Sequence, residues 1–216
     1  MIIAVDGPAA SGKGTIARAL ARHYNLPHLD TGLLYRAVAL TVTRLELNPE
    51  QEADAVAACD FEDSLLEDPQ LRTDEIGRLA SVVSAHPLVR AALLHRQRRF
   101  AQQPGGAVLD GRDIGTVIAP DADAKLFVKA TPTVRARRRL AELRQAGAIV
   151  SLDRVLADIR ARDLRDSTRS SAPLKPADDA CVLDTSFLSI EASLQRALEI
   201  VERRRAERAA ASVASA

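Results

Sequence analysis

Tryptophan is absent from this 216-residue chain, and two tyrosines and four phenylalanines make up its 3% of aromatics. A surface that stacks unpaired bases needs more than that, so a single-strand nucleic-acid platform is excluded. Cysteine is scarce too. Cys59 and Cys181 stand far apart, outside any C-x-x-C spacing, and fit neither a zinc site nor a disulfide framework, which implies a reducing compartment. Neither sign of charge is in excess: 30 Lys and Arg face 29 Asp and Glu, for a formal charge of +1. The basic surplus of a general nucleic-acid binder is missing, and local clusters of arginine matter more than the total. Long apolar runs are lacking as well. Asp6 interrupts Met1–Val5 too early for a secretion signal, and no later segment reaches bilayer-spanning length. With no association motif in view, the expectation is a monomeric, cytoplasmic protein with neither membrane nor nucleic-acid partners.

What is present is enough for a core: 47% of the residues are hydrophobic, in a length that suits one domain over 1–216. Strand-like runs at Ile2–Val5, His28–Leu29, Ala107–Leu109, Lys125–Val128 and Cys181–Leu183 alternate with longer helical patterns, which predicts an α/β fold on a mostly parallel sheet. Ile16, Ala17, Leu20, Ala21 and Tyr24 form one apolar stripe of a helix starting near Lys13. Thr73 is placed to cap a helix whose first turn holds Asp74 and Glu75. Pro87 suits the first position of the next helix, which Pro104-Gly105-Gly106 stops. Two segments read as insertions: a mostly helical one over 31–103, and an Arg- and Asp-rich one over 147–175 that is poor in large apolar residues and so expected to be mobile. The tail over 206–216 is mostly Ala, Ser and Arg and is expected to be disordered.

The first strand runs into Gly7-Pro8-Ala9-Ala10-Ser11-Gly12-Lys13-Gly14-Thr15, and a helix follows. Strand, glycine-rich turn and helix together make a phosphate-binding P-loop. Glycines let backbone N–H groups turn inward around a phosphate, the helix N-terminus adds its positive dipole, and Lys13 adds a point charge. The predicted architecture is therefore the three-layer P-loop NTPase fold: a central parallel five-stranded sheet, a helical acceptor-binding insertion over 31–103, and a lid over 147–175. Gly14 stands where a hydroxyl commonly follows the lysine, and Thr15 comes one residue later. That G-K-G-T form resembles nucleoside monophosphate kinases more than switch GTPases. Asp110, at the end of an apolar strand, is the candidate carboxylate for Mg²⁺. Thr15 is the candidate hydroxyl, with Ser11 as the alternative.

A more specific likeness lies in five ordered segments: G-P-A-A-S-G-K-G-T, D-T-G-L-L-Y-R, S-V-V-S-A-H-P-L-V-R, D-G-R-D-I-G-T-V and R-D-L-R-D-S-T-R-S-S-A-P-L. Together, from residue 7 to residue 174, they resemble the bacterial cytidylate kinases. The resemblance implies transfer of the ATP γ-phosphoryl group to CMP or dCMP, with Mg²⁺ as cofactor. It implies that residues 7–15 hold ATP and that Ser81, Arg90 and Asp113 read the cytosine ring. It places Thr31, Tyr35, Arg36 and Arg112 around the acceptor nucleotide, with Arg36 and Arg112 on its phosphate. Arg162 and Asp166 fall on the ribose side, and Arg169 faces phosphate. Lys13, Arg112, Arg162 and Arg169 are the expected catalytic groups. Cys59–Asp74 departs from the family by being short and acidic where many members are longer and β-rich. Arg135 and Arg139 lie one helical turn apart, a spacing that can turn both to one side, with ATP as the candidate ligand, whereas Arg137 and Arg138 read as a solvated surface. The competing readings are a P-loop kinase for UMP, AMP or shikimate, and a nucleotide-gated switch. The switch is disfavoured because no N-K-x-D guanine reader follows a late strand.

Overall fold

The computed structural model describes residues 1–145 and 147–214, the last four of them by backbone alone. Five strands, β1 (Ile2–Asp6), β2 (His28–Asp30), β3 (Ala107–Gly111), β4 (Ala124–Lys129) and β5 (Cys181–Asp184), form one sheet in the order β2-β3-β1-β4-β5. Every pairing is parallel. Each strand coincides with an expected apolar run and extends past it by a residue or two. Central β1 is buried on both faces, as parallel strands generally are. Ile3 and Val5 pack with Ile16 and Leu20 of α1 (Lys13–Tyr24) and Val201 of α8 (Ile190–Ala214). Ala4 meets Leu109, Ile114 and Ile118 in a separate cluster. Burying each of these large side chains is worth about 1.5–3 kcal/mol, and together they hold the C-terminal strand ends, where ligands bind in such sheets, in fixed register.

The insertion comprises α2 (Thr31–Arg44), α3 (Glu52–Ala57), α4 (Asp74–Val83) and α5 (Pro87–Ala101), around its own core of Leu34, Val38, Leu71, Ile76, Val83, Val89 and Leu93. Thr73 caps α4 by accepting the N–H of Ile76, and Pro87 opens α5. Within the short stretch from Cys59 to Asp74 the chain makes two 3₁₀ turns, Asp63–Glu67 and Pro69–Arg72. Both cysteines are free.

Helices α6 (Pro132–Gln145) and α7 (Leu152–Thr168) pack side by side. Val155 and Ile159 of α7 bury against Ala136 and Leu140 of α6. The segment over 147–175 thus finds apolar partners that its own composition lacks. α8 continues to Ala214, so the disorder expected from residue 206 is replaced by helix that far; residues 215 and 216 lie outside the described residues. Alanine and arginine are strong helix formers, which is the physical reason for the difference. Among the described residues, no helix is long and apolar enough to cross a membrane.

Candidate active site

The P-loop crosses the end of the sheet at close range. A Cβ on Gly7 would lie 2.0 Å from the carbonyl oxygen of Val128 in β4, so only glycine passes there. Gly12 takes a left-handed conformation (φ 91°) and starts α1 without a side-chain cap, leaving the helix N-terminus to a ligand. Two carbonyls of the loop are tied from outside. Ser11 O accepts from Thr185 Oγ1 at 2.9 Å and from Arg138 Nη1 at 3.2 Å, and Ala9 O accepts from Arg135 Nη1 at 3.2 Å. In a planar trans peptide the following N–H points the opposite way. Fixing these carbonyls therefore aims the amides of Gly12 and Ala10 away from those ties.

Lys13 Nζ stands 4.0 Å from Asp110 Oδ2, and His28 Nε2 is 2.8 Å from the other oxygen of that carboxylate. Burial pushes Lys13 down to about 8, aided by Arg112 and Arg162 and opposed by Asp110 and Asp30. Asp30 caps α2 through the N–H of Gly32, and burial together with the Asp110 charge raises its pKa.

Opposite the loop, Asp166 of α7 gathers arginines. Its Oδ2 accepts from Arg112 Nε at 2.8 Å and lies 4.0 Å from Arg162 Nε. Burial raises the Asp166 carboxyl, but Arg112 and Arg162 outweigh that and hold it below the usual carboxylate range. Burial, then the neighbouring Arg112, pushes Arg162 down to about 10. Arg36 is held by the carbonyls of Leu71 and Thr73 at 2.6 and 3.1 Å. Gly77 leaves room for it, since a Cβ there would come within 2.7 Å of Arg36 Nη2. Lys13, Arg36, Arg112, Arg162 and Arg165 line one cavity of about 810 Å³ between the P-loop, α4 and the α6–α7 pair. Burial first, and neighbouring arginines after it, push Lys13, Arg36 and Arg162 below their ordinary values, and an incoming anion would relieve the repulsion among them.

A second, buried set lies beside it. Arg90 of α5 donates to Asp113 and to Ser84 O, and sits 5.4 Å from the centroid of the Tyr35 ring. Ser81 Oγ accepts from Arg165 Nε at 3.3 Å. Arg169 donates Nε to Ala172 O at 2.8 Å, while its Nη2, like the Tyr35 hydroxyl, is buried without a hydrogen-bond partner. Thr31 Oγ1 is buried and donates to Asp110 O at 2.8 Å.

The cytidylate kinase family model matches residues 3–203. The chain belongs to that family. Relatives named cytidylate kinase support the assignment over nearly the whole length. The one from Xanthobacter autotrophicus is 60% identical over 208 residues, covering 96% of this chain and 100% of its own. One from Rhodopseudomonas palustris is 56% identical over 210 residues, covering 96% and 99%. Among solved structures, a protein from Eubacterium ventriosum shares the fold at a TM-score of 0.54 and 14% identity, covering 94% of this chain and 98% of that one.

Set against the cytidylate kinase pattern, most expected site residues converge, and one finding, at Arg138, differs from expectation. Thr15 is exposed in the first turn of α1 and, like Ser11 and Asp110, does not line the cavity. Arg138 is half-buried against the P-loop rather than solvated, whereas Arg137 is exposed. Arg135 bonds Asp163 and the P-loop carbonyl of Ala9, and Arg139 lines the cavity while bonding Asp74 and Glu142. Two further contributors stand outside the expected site set. Arg165 holds Ser81, and its spacing of three from Arg162 on one helix was the available signal. Thr185 grips Ser11 from a distance of 174 residues, with no local pattern to mark it.

Proposed function

We propose that this chain transfers the γ-phosphoryl group of ATP to CMP and dCMP, yielding CDP and dCDP. The observation that carries this reading is the convergence of Lys13, Arg36, Arg112 and Arg162 on one cavity beside the P-loop. A donor triphosphate on residues 7–15 and an acceptor phosphate on Arg36 and Arg112 would meet in that space. The acceptor oxygen is already nucleophilic, so the work is positioning and charge stabilisation rather than proton abstraction. Asp166 sets the spacing of Arg112 and Arg162 and offers an acceptor for a ribose hydroxyl.

Base selection rests on the buried set of Ser81, Arg90 and Asp113, with Tyr35 and Arg169 alongside. Cytosine presents an amino donor to the Asp113 carboxylate, and its acceptors to a hydroxyl and a guanidinium. Uracil turns a carbonyl toward that carboxylate and leaves buried polar groups mismatched, a loss that supports strong discrimination. Arg162, Arg165 and Arg169 all belong to α7 or its C-terminal end, so closure of this helix as a lid would complete the acceptor site and exclude water.

The donor set also fits Mg²⁺, which keeps much of its water and takes one or two carboxylates along with substrate phosphates. Asp110 is a buried carboxylate beside Lys13, and the Ser11 hydroxyl is fully buried with no partner. Asp110, with the hydroxyl of Thr15 or Ser11, would hold the ion or its waters, and its chemistry there would be charge neutralisation on the phosphates.

A coupled ADP-release assay with CMP, dCMP, UMP, AMP and shikimate tests the reading. CMP and dCMP should turn over with the highest kcat/KM. Faster turnover of UMP, AMP or shikimate would overturn it.

A further inference from the structure

One buried acid takes no part in the chemistry above. Asp6 is the last residue of β1, directly before Gly7 of the P-loop, and is 5% exposed. Its Oδ1 accepts the N–H of Ile114 and its Oδ2 the N–H of Gly115, each at 2.8 Å. Those amides open a π-type turn over Ile114–Ile118, closed by bonds such as Ala119 N–H to Ile114 O at 2.7 Å. The two residues just before the turn are Arg112, bonded to Asp166, and Asp113, bonded to Arg90. A Cβ on Gly115 would stand at ordinary contact, 3.4 Å, from Asp6 Oδ2 and would press at 3.1 Å only on the flexible Lys125 side chain.

We propose that Asp6 is a positioning residue that sets acceptor recognition: by clamping two consecutive amides, it fixes where Arg112 and Asp113 stand relative to the P-loop. The inference rests on the acceptor reading given above and deepens it. The carboxylate makes two charge-assisted hydrogen bonds to one short segment, and its own backbone begins the donor loop. One residue therefore sets the distance between donor and acceptor machinery. Retaining an acid here is costly, because burial lifts the Asp6 carboxyl to about 7 even against both N–H bonds. A position that served packing alone would be better filled by an apolar side chain.

Asp6→Asn keeps the shape but leaves one acceptor oxygen, and its NH₂ faces an N–H that it cannot accept. Losing one charge-assisted bond should raise KM for CMP about tenfold and cut the CMP-over-UMP ratio of kcat/KM about tenfold, with KM for ATP changed less than about twofold. Asp6→Ala should exceed both effects. A lowered melting temperature with an unchanged acceptor ratio, or an equal rise in both KM values, would overturn the proposal. If Asp6→Asn does not fold, Asp6→Ser, which keeps a single acceptor oxygen, is judged by the same ratio. The wild-type panel separates the two claims: if it prefers another acceptor, the CMP reading fails, and the clamp is then judged by that acceptor's ratio over its next best competitor.

Discussion

Arg135 Nη1 lies 2.9 Å from one oxygen of Asp163 and 3.2 Å from the carbonyl oxygen of Ala9. One guanidinium thus joins α7 to the P-loop. Asp163→Asn would leave Arg135, which is 3% exposed, without a full counter-charge. The expected results are a loss of about 1–3 kcal/mol of stability and a larger rise in KM for ATP than for CMP. Denaturant unfolding and steady-state kinetics check this. Equal KM effects would show that the link carries no donor-side role.

Arg138 makes three donations at the back of the loop: to Ser11 O at 3.2 Å, Thr185 Oγ1 at 3.0 Å and Thr185 O at 2.7 Å. A lysine cannot reproduce that planar fork. Arg138→Lys should raise KM for ATP about tenfold, the equivalent of about 1.4 kcal/mol, and leave KM for CMP nearly unchanged. Initial-rate measurements with each substrate varied in turn decide the matter.

Lys13 carries a pH signature. Its folded pKa falls from 10.5 to about 8, so between those values the unfolded chain holds more protons. Stability of the ligand-free protein should therefore rise with pH from about 8 to about 10.5. Lys13→Met should flatten that slope and raise stability at pH 7 by about 1–3 kcal/mol, while cutting turnover severely. Urea melts at several pH values check the slope, and a rise undiminished in the variant would assign it to another group.

Asp113 neutralises a buried arginine, since Arg90 is 7% exposed. Asp113→Asn should cost about 3 kcal/mol of stability by leaving that charge poorly compensated. It should also lower kcat/KM for CMP more than for UMP, because an amide can donate to the uracil carbonyl. Thermal unfolding and the two specificity constants are the measurements.

The sheet was legible because its strands are short apolar runs ending in Asp, Gly or Lys, and the P-loop because its glycines have no substitute where the chain crosses Val128 O. Ser81, Arg90 and Asp113 became candidates through motif resemblance; nothing in their local spacing showed that Arg90 and Asp113 hold each other. Arg138 was misread even though it lies three residues after Arg135, on the same helix face; a run of three arginines masked the periodicity. The Asp6 clamp was hidden altogether, because it joins residues 108 and 109 positions apart. Long-range polar contacts of this kind leave no period in a sequence.

The bond from Thr185 to Ser11 also bears on the order in which the protein is completed. The phosphate cradle is encoded within the first fifteen residues, yet the hydroxyl that fixes its backbone arrives with the last strand. During synthesis the cradle cannot be finished until nearly the whole polypeptide has emerged. Fragments truncated before β5 should therefore lack tight nucleotide affinity even where the first strand and helix have already formed.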